Sequence, residues 1–193
     1  MAKVKWKAGT MIYPLPAVMV SCGDSPENYN IITISWTGTI NTDPAMCYIS
    51  VRPSRYSYHI IKETKAFVIN LTTKDLAKQT DWCGVKSGKD FDKFKEMNLT
   101  PEKADHVNAP MIAECPISIE CEVTEIMPLG SHDMFIAKVI AVHAEERLID
   151  HSTGALDLRQ TNPLTYIHGN YYEPGNKIGR FGFSVKKKKK KKT

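Results

Sequence analysis

The chain is predicted to be mainly β with interposed helices, an antiparallel Greek-key barrel that is closed or nearly so. Three observations carry this. Short runs alternate apolar with polar residues, the period of a strand with one buried face. Turn signals such as Gly23-Asp24-Ser25-Pro26 and Asn41-Thr42-Asp43-Pro44 separate successive runs and pair them as hairpins. The helical stretches are few and short, and they do not alternate with strands as a doubly wound sheet requires. At 193 residues and 42% hydrophobic content the chain can bury one sizeable core, and no composition break or internal repeat asks for two.

Residues 1–10 read as an edge segment or loose arm, followed by Pro14 and Pro16. Residues 17–22 are small and β-branched, a strand that should pair with the one beginning at Asn30. In that second strand Ile32, Ile34 and Trp36 share an apolar face while Thr33, Ser35 and Thr37 form a hydroxyl-lined one, able to line a polar ligand. A third strand, residues 46–51, runs into Arg52-Pro53-Ser54-Arg55-Tyr56-Ser57. Pro53 biases Arg52 away from helix, and Ser54 or Ser57 can cap a helix over about residues 56–64. A short apolar strand follows at 66–71, then helical character at 74–82 with Asp75 near its start. A further helix is expected at 90–97, with Phe91, Phe94 and Met97 on one face. Pro101, Pro110 and Pro116 make residues 99–116 a loop with short extended pieces. Ile117, Ile119, Cys121 and Val123 then alternate with Ser118, Glu120, Glu122 and Thr124, a half-buried strand. A turn at 127–133 returns the chain along a long apolar strand at 134–144. Residues 157–169 and 178–184 read as later strands or loops, shortened by Pro163 and Pro174.

The formal net charge of +5 comes from one place. Removing the seven lysines 186–192 from 26 basic residues leaves 19 against 21 acidic ones, a body of net −2. Such a run repels itself and reads as a disordered appendage. It raises a polyanion-binding module as a rival function, but the body has no basic stripe interleaved with aromatics, so no nucleic-acid partner is expected. The five cysteines are odd in number and form no C-x-x-C pair, which fits a reducing cytoplasm. No apolar run reaches the length of a membrane span, and no membrane partner is expected. His106, His143 and His151 lack metal-ligand spacing, so no metal is expected. Neither G-x-G-x-x-G nor G-x-x-x-x-G-K-[ST] occurs.

The corner at residues 52–57 carries the chemistry. Helix N–H groups, the positive end of the dipole and a guanidinium fork all offer donors to the same anionic oxygens, which points to a phosphate-bearing cofactor. The competing account is an ordinary capping serine beside a surface arginine.

Thr33 to Trp36 (T-x-S-W), Ser50 to Tyr58 (S-V-R-P-S-R-Y-S-Y) and Glu63 to Leu71 (E-T-x-x-F-V-I-N-L) occur in that order. They are followed by D-W-C-G-V-x-S-G-K-D-x-D-K-F from Asp81, G-S-H-D-M-F from Gly130 and Y-I-H-G-x-Y-Y from Tyr166. Together these resemble the flavin reductase-like, FMN-binding split-barrel family, in its flavoredoxin-like branch, over about residues 9–184. The resemblance implies one flavin reductase-like domain over residues 1–185, with 186–193 as the polylysine tail. It implies FMN, its phosphate held by Arg55 with Ser57 beside Arg52, Ser54 and Tyr56. Thr33, Ile34, Ser35 and Trp36 would border the isoalloxazine ring, and Ser50 and Val51 would meet the ribityl chain or ring. Cys83 and Gly84 would cover the flavin. Lys89 and Lys93 either supplement the phosphate or are solvated helix charges. His132 matches the family's histidine near the flavin and is the candidate catalytic residue; a turn histidine bonded to Asp133 is the plainer account. His168, with Tyr166 and Tyr171, adds a weaker C-terminal contribution. The implied activity is transfer of hydride from NADH or NADPH through FMN to an acceptor, or electron carriage without nicotinamide turnover, in a homodimer.

Overall fold

The computed structural model describes residues 1–185; the lysine run expected as a tail lies outside them. In chain order the first strands are β1 (Leu15–Pro16), β2 (Val18–Cys22), β3 (Asn30–Ile34), β4 (Thr37–Thr42) and β5 (Ala45–Val51). Helix α1 (Tyr56–Thr64), β6 (Ala66–Leu71), α2 (Ala77–Val85) and α3 (Lys93–Glu96) follow. A small pair β7 (Pro101–Lys103) and β8 (Pro110–Ile112) precedes the long hairpin β9 (Ile117–Pro128) and β10 (Asp133–Ala144). The C-terminal part holds β11 (Ile149–Asp150), β12 (Ala155–Leu156), β13 (Thr165–Ile167) and β14 (Asn170–Tyr172).

Seven strands form one antiparallel sheet in the order β3-β2-β6-β9-β10-β5-β4. Its two edges, β3 and β4, are consecutive in the chain and separated only by Ser35 and Trp36. The sheet therefore curls round until its edges are joined by a covalent bend rather than a ladder, which makes a barrel with a split. Ser50 N–H donates to the Trp36 carbonyl at 2.9 Å and pins the bend to the end of β5. Inside, alternate residues of each strand meet: Val18 and Val20, Ile32 and Ile34, Ile49 and Val51, Phe67 and Ile69, Phe135 and Ala137. Tyr58 and Ile61 of α1 plug one end.

Strand β2 is buried at every residue. The outer face of β2 and β3, through Met19 and Ile31, packs on Leu76, Cys83 and Phe94, so α2 and α3 lie against that side of the barrel. The expected hydroxyl-lined face of β3 is only partly open: Thr33 stays half-buried, its Oγ1 donating to the Thr80 carbonyl of α2 and keeping its lone pairs as acceptors. Trp36 departs from expectation too. The strand stops at Ile34, and Trp36 sits in the bend with 36% of its surface exposed rather than among the core side chains.

The helix expected at 90–97 is shorter. Asp92 accepts from Lys95 N at 3.2 Å and starts α3 at Lys93. Phe91 is left outside, its ring against Trp82, while Phe94 is buried. Nor is Ser54 or Ser57 a cap, because α1 begins after Arg55 with no side-chain cap and Ser57 is buried.

Strand β9 is buried on both faces over its first half, including the fully buried Glu120. Glu120 accepts from the N–H groups of Asp105, His106 and Val107 at 2.7 to 3.0 Å, and its Oε1 meets His143 Nε2 at 2.6 Å. Burial opposes its ionisation, yet the bonds from His143 and the three amides outweigh burial and hold the carboxyl below its usual range. Asp105, at 4.0 Å from the same His143 nitrogen, completes a carboxylate–imidazole group that the spacing of histidines does not announce. The Glu120 oxygens in it are already filled by N–H donors.

Candidate functional site

Two adjoining hollows open at the split, and both are lined by Ile32 and Arg55. The smaller, about 130 Å³, lies between the start of α1 and the loop after α2. Ser54, Arg55, Tyr56 and Ser57 line one side; Cys83, Gly84, Lys86, Ser87, Gly88 and Lys93 line the other. With no capping side chain and no acidic residue in its first turn, α1 presents its N-terminal amides uncompensated. Asn30 Nδ2 donates to Ser57 Oγ at 2.7 Å and fixes that hydroxyl at the base.

Lys93 is the buried cation of this hollow, 3% exposed, donating to the carbonyls of Ile31 and Cys83 at 2.7 Å each. Burial pushes its pKa down to about 8, with the Arg55 charge adding to the effect and the Cys83 and Cys22 thiols opposing it. A buried ammonium without a carboxylate partner beside an arginine is a donor set for a polyanion. The walls are also close. A Cβ at Gly88 would run into the Asn30 carboxamide, and one at Gly84 would lie 3.1 Å from Thr33 Cβ. Gly88→Ala is expected to cost about 1 to 3 kcal/mol by overpacking, read as a lowered urea midpoint. Gly175→Ala, where nothing lies within 4 Å, should stay within about 0.5 kcal/mol.

The larger hollow, about 320 Å³, is bounded by the bend at Ser35 and Trp36, the end of β5 at Ser50 and Val51, and Arg52, His132, Tyr13 and Tyr166. It contains two guanidinium groups, an imidazole and three aromatic rings, and no carboxylate. His132 stacks at a tilt on Trp36, ring centroids 4.5 Å apart. Arg52 Nε donates to His132 Nε2 at 3.3 Å. A guanidinium cannot accept, so the ring proton is on Nδ1 and is directed at Ser131 Oγ, 3.0 Å away. Burial, Arg52 and Arg55 together hold the imidazole pKa below its usual value. His132 is thus biased toward its uncharged form, in a tautomer set by Arg52 and Ser131. Its neighbour Asp133 accepts from Tyr58 OH at 2.6 Å, so the plainer account of a His132–Asp133 pair does not hold.

Most residues singled out from sequence converge here. Thr33, Ile34, Ser35, Trp36, Ser50, Val51, Arg52 and His132 line the larger hollow; Ser54, Tyr56, Ser57, Cys83 and Gly84 line the smaller, and Arg55 joins them. Lys89 does not: it is exposed and lines neither. Lys86 and Lys93 stand in its place, because α3 starts three residues later than the sequence suggests and turns Lys93 inward. Cys83 is fully buried, its thiol pushed up to about 11 by burial, and it contributes its carbonyl rather than a thiolate. His168 stacks on Tyr13 at 4.4 Å without lining either hollow. Sequence reasoning missed Asn30, Tyr13 and Lys86. Asn30, a lone amide opening an apolar strand, was the legible signal among them.

A family model described as a flavin reductase-like domain matches residues 10–175. Flavoredoxin of Desulfovibrio vulgaris (Miyazaki F) is similar in structure, with a TM-score of 0.87 and 28% identity over 96% of this chain and 100% of that one. Flavoredoxin from Methanosarcina acetivorans gives 0.85 and 26%, covering 96% and 100%. The FMN reductase (NADH) RutF of Acinetobacter baylyi is 24% identical over 82% of this chain and 75% of its own. Among the described residues no helix is long and apolar enough to cross a membrane.

Proposed function

The chain belongs to the flavin reductase-like family, with its split β-barrel fold, and from that premise we propose that it binds FMN across the two hollows and works as an oxidoreductase fed by NADH or NADPH. The single observation that carries this reading is the pair of adjoining hollows sharing Arg55, one a small nest of N–H, hydroxyl and ammonium donors, the other broad and aromatic. Bound FMN would supply two-electron hydride chemistry. Arg55, Lys93, Ser54, Ser57 and the first amides of α1 would hold the phosphate. The bend at Ser35 and Trp36 and the end of β5 would border the ring. Arg52 would hold His132 in one tautomer against Trp36, which fixes one wall. Hydride transfer itself needs no protein acid, and a neutral His132 is consistent with that.

The reading predicts a pH signature. A phosphate favours the charged form of Lys93, so binding draws a proton onto it wherever the free protein has lost that proton. FMN affinity should fall about twofold from pH 7 to 8 and about tenfold by pH 9, with riboflavin unaffected, as measured by flavin fluorescence quenching. Lys93→Met should abolish the difference.

A second reading, an FMN-retaining electron carrier, is supported by the two flavoredoxin structures. Anaerobic rapid mixing of the flavin-loaded protein with NADH and NADPH decides between them. Bleaching within turnover time supports the reductase; colour that persists supports the carrier; a protein that takes up no flavin overturns both. The same reading includes a homodimer, and a monomer on sedimentation of the FMN-bound form would count against it.

A further inference from the structure

Beside the larger hollow, on the other side of Tyr13 and Trp36, lies a third recess of about 290 Å³. Its remaining walls are the segment of residues 9–12, with Met11 and Ile12, together with Leu15 and Tyr48. No charged side chain lines it, in contrast with the two arginines next door. We propose that this recess is the binding site for an uncharged, planar, carbonyl-bearing acceptor of the quinone class. The assignment rests on the flavin reading above and extends it to the second substrate.

Size, polarity and position support one occupant. The volume is at the lower end for small-molecule sites, suited to one or two fused rings rather than a nucleotide. An ionised acceptor would give up its hydration here without a counter-charge, which is costly; a neutral ring loses little. The hydroxyls of Tyr13, Tyr48 and Thr10 and the indole N–H of Trp36 are the side-chain donors on the lining, suited to carbonyl oxygens. Tyr13 and Trp36 are walls of both chambers, so an acceptor seated on them adjoins the ring site. The reaction balances as quinone plus NADH or NADPH plus one proton giving hydroquinone and oxidised nicotinamide. The acceptor's two oxygens gain two electrons and two protons, one proton coming from water.

The test uses the full-length, FMN-loaded protein and 2-methyl-1,4-naphthoquinone. Binding is measured by equilibrium dialysis and turnover by nicotinamide oxidation. Met11→Asp and Ile12→Asp alter side chains that are 56% and 87% exposed, so the fold should survive them, as a melting curve verifies. Each is expected to weaken quinone binding and raise its KM by about tenfold, through lost apolar contact and an added charge, while bleaching by nicotinamide is unchanged. Equal binding by wild type and both variants, or none by wild type, overturns the proposal. A protein that binds the quinone but is not bleached by nicotinamide sinks the reductase reading and leaves this site standing. One that is bleached but does not bind the quinone sinks the site alone. If wild type excludes the probe and Met11→Asp splits a dimer into monomers, the recess is an interface between copies and the proposal falls.

Discussion

Arg55→Ala is expected to weaken FMN binding about tenfold to a hundredfold and to leave riboflavin nearly unchanged. Arg55 lines both hollows, and its guanidinium is in none of the ion pairs formed among the described residues. The fork is therefore available to a ligand. A charge-assisted bond to phosphate contributes about 1.5 to 3 kcal/mol, and that range converts to the expected loss. Folding should not suffer, because Arg55 starts α1 through its extended backbone and its N–H donates to the Arg52 carbonyl, both of which alanine retains. Paired titrations with FMN and riboflavin supply the measurement. Equal losses for the two ligands would mean that the phosphate does not meet Arg55, and the orientation of the cofactor would have to be reversed.

Glu120→Ala should destabilise the fold by about 3 to 5 kcal/mol, the largest effect expected of any substitution outside the site. Three backbone N–H groups and His143 lose their common acceptor at a position with no exposed surface. Water cannot readily replace it there. Urea unfolding at pH 7 would read the loss directly, and a change under about 1 kcal/mol would mean that the loop at 104–109 re-forms its bonds elsewhere. The sign of the pH dependence follows from the carboxyl's depressed pKa in the fold. Its contribution is fully present above the unfolded value and disappears as pH falls through the folded one, so wild type should lose stability into acid. Glu120→Gln keeps one acceptor, should cost less than alanine, and should flatten that part of the profile.

Much of the barrel is legible in local sequence. The Pro53 corner, the span of α1 and the two hairpin turns are each fixed by residues within a few positions of one another. The same locality brought out the corner at Arg52 to Ser57, whose residues the fold gathers around the two hollows. Where the reading failed, the deciding neighbour was distant. Glu120 sits on the polar face of an alternating strand, and nothing nearby says that residues 104–109 will fold over it. Lys89 and Lys93 look equivalent until Asp92 captures the Lys95 amide and sets the helical phase that buries one of them.

By itself, then, the sequence determined most of the longer strands, where the chain turns and which corner gathers arginine and serine side chains, since strand period, proline and glycine act within a few residues. Only the tertiary structure decided that β2 is covered on both faces, that the sheet edges meet at Ser35 and Trp36, and that burial, with Arg52 and Arg55, holds the His132 pKa down. Burial and charge depend on what lies opposite in space, and a barrel brings together residues far apart in the chain, as it does Arg52 and His132, eighty positions from each other.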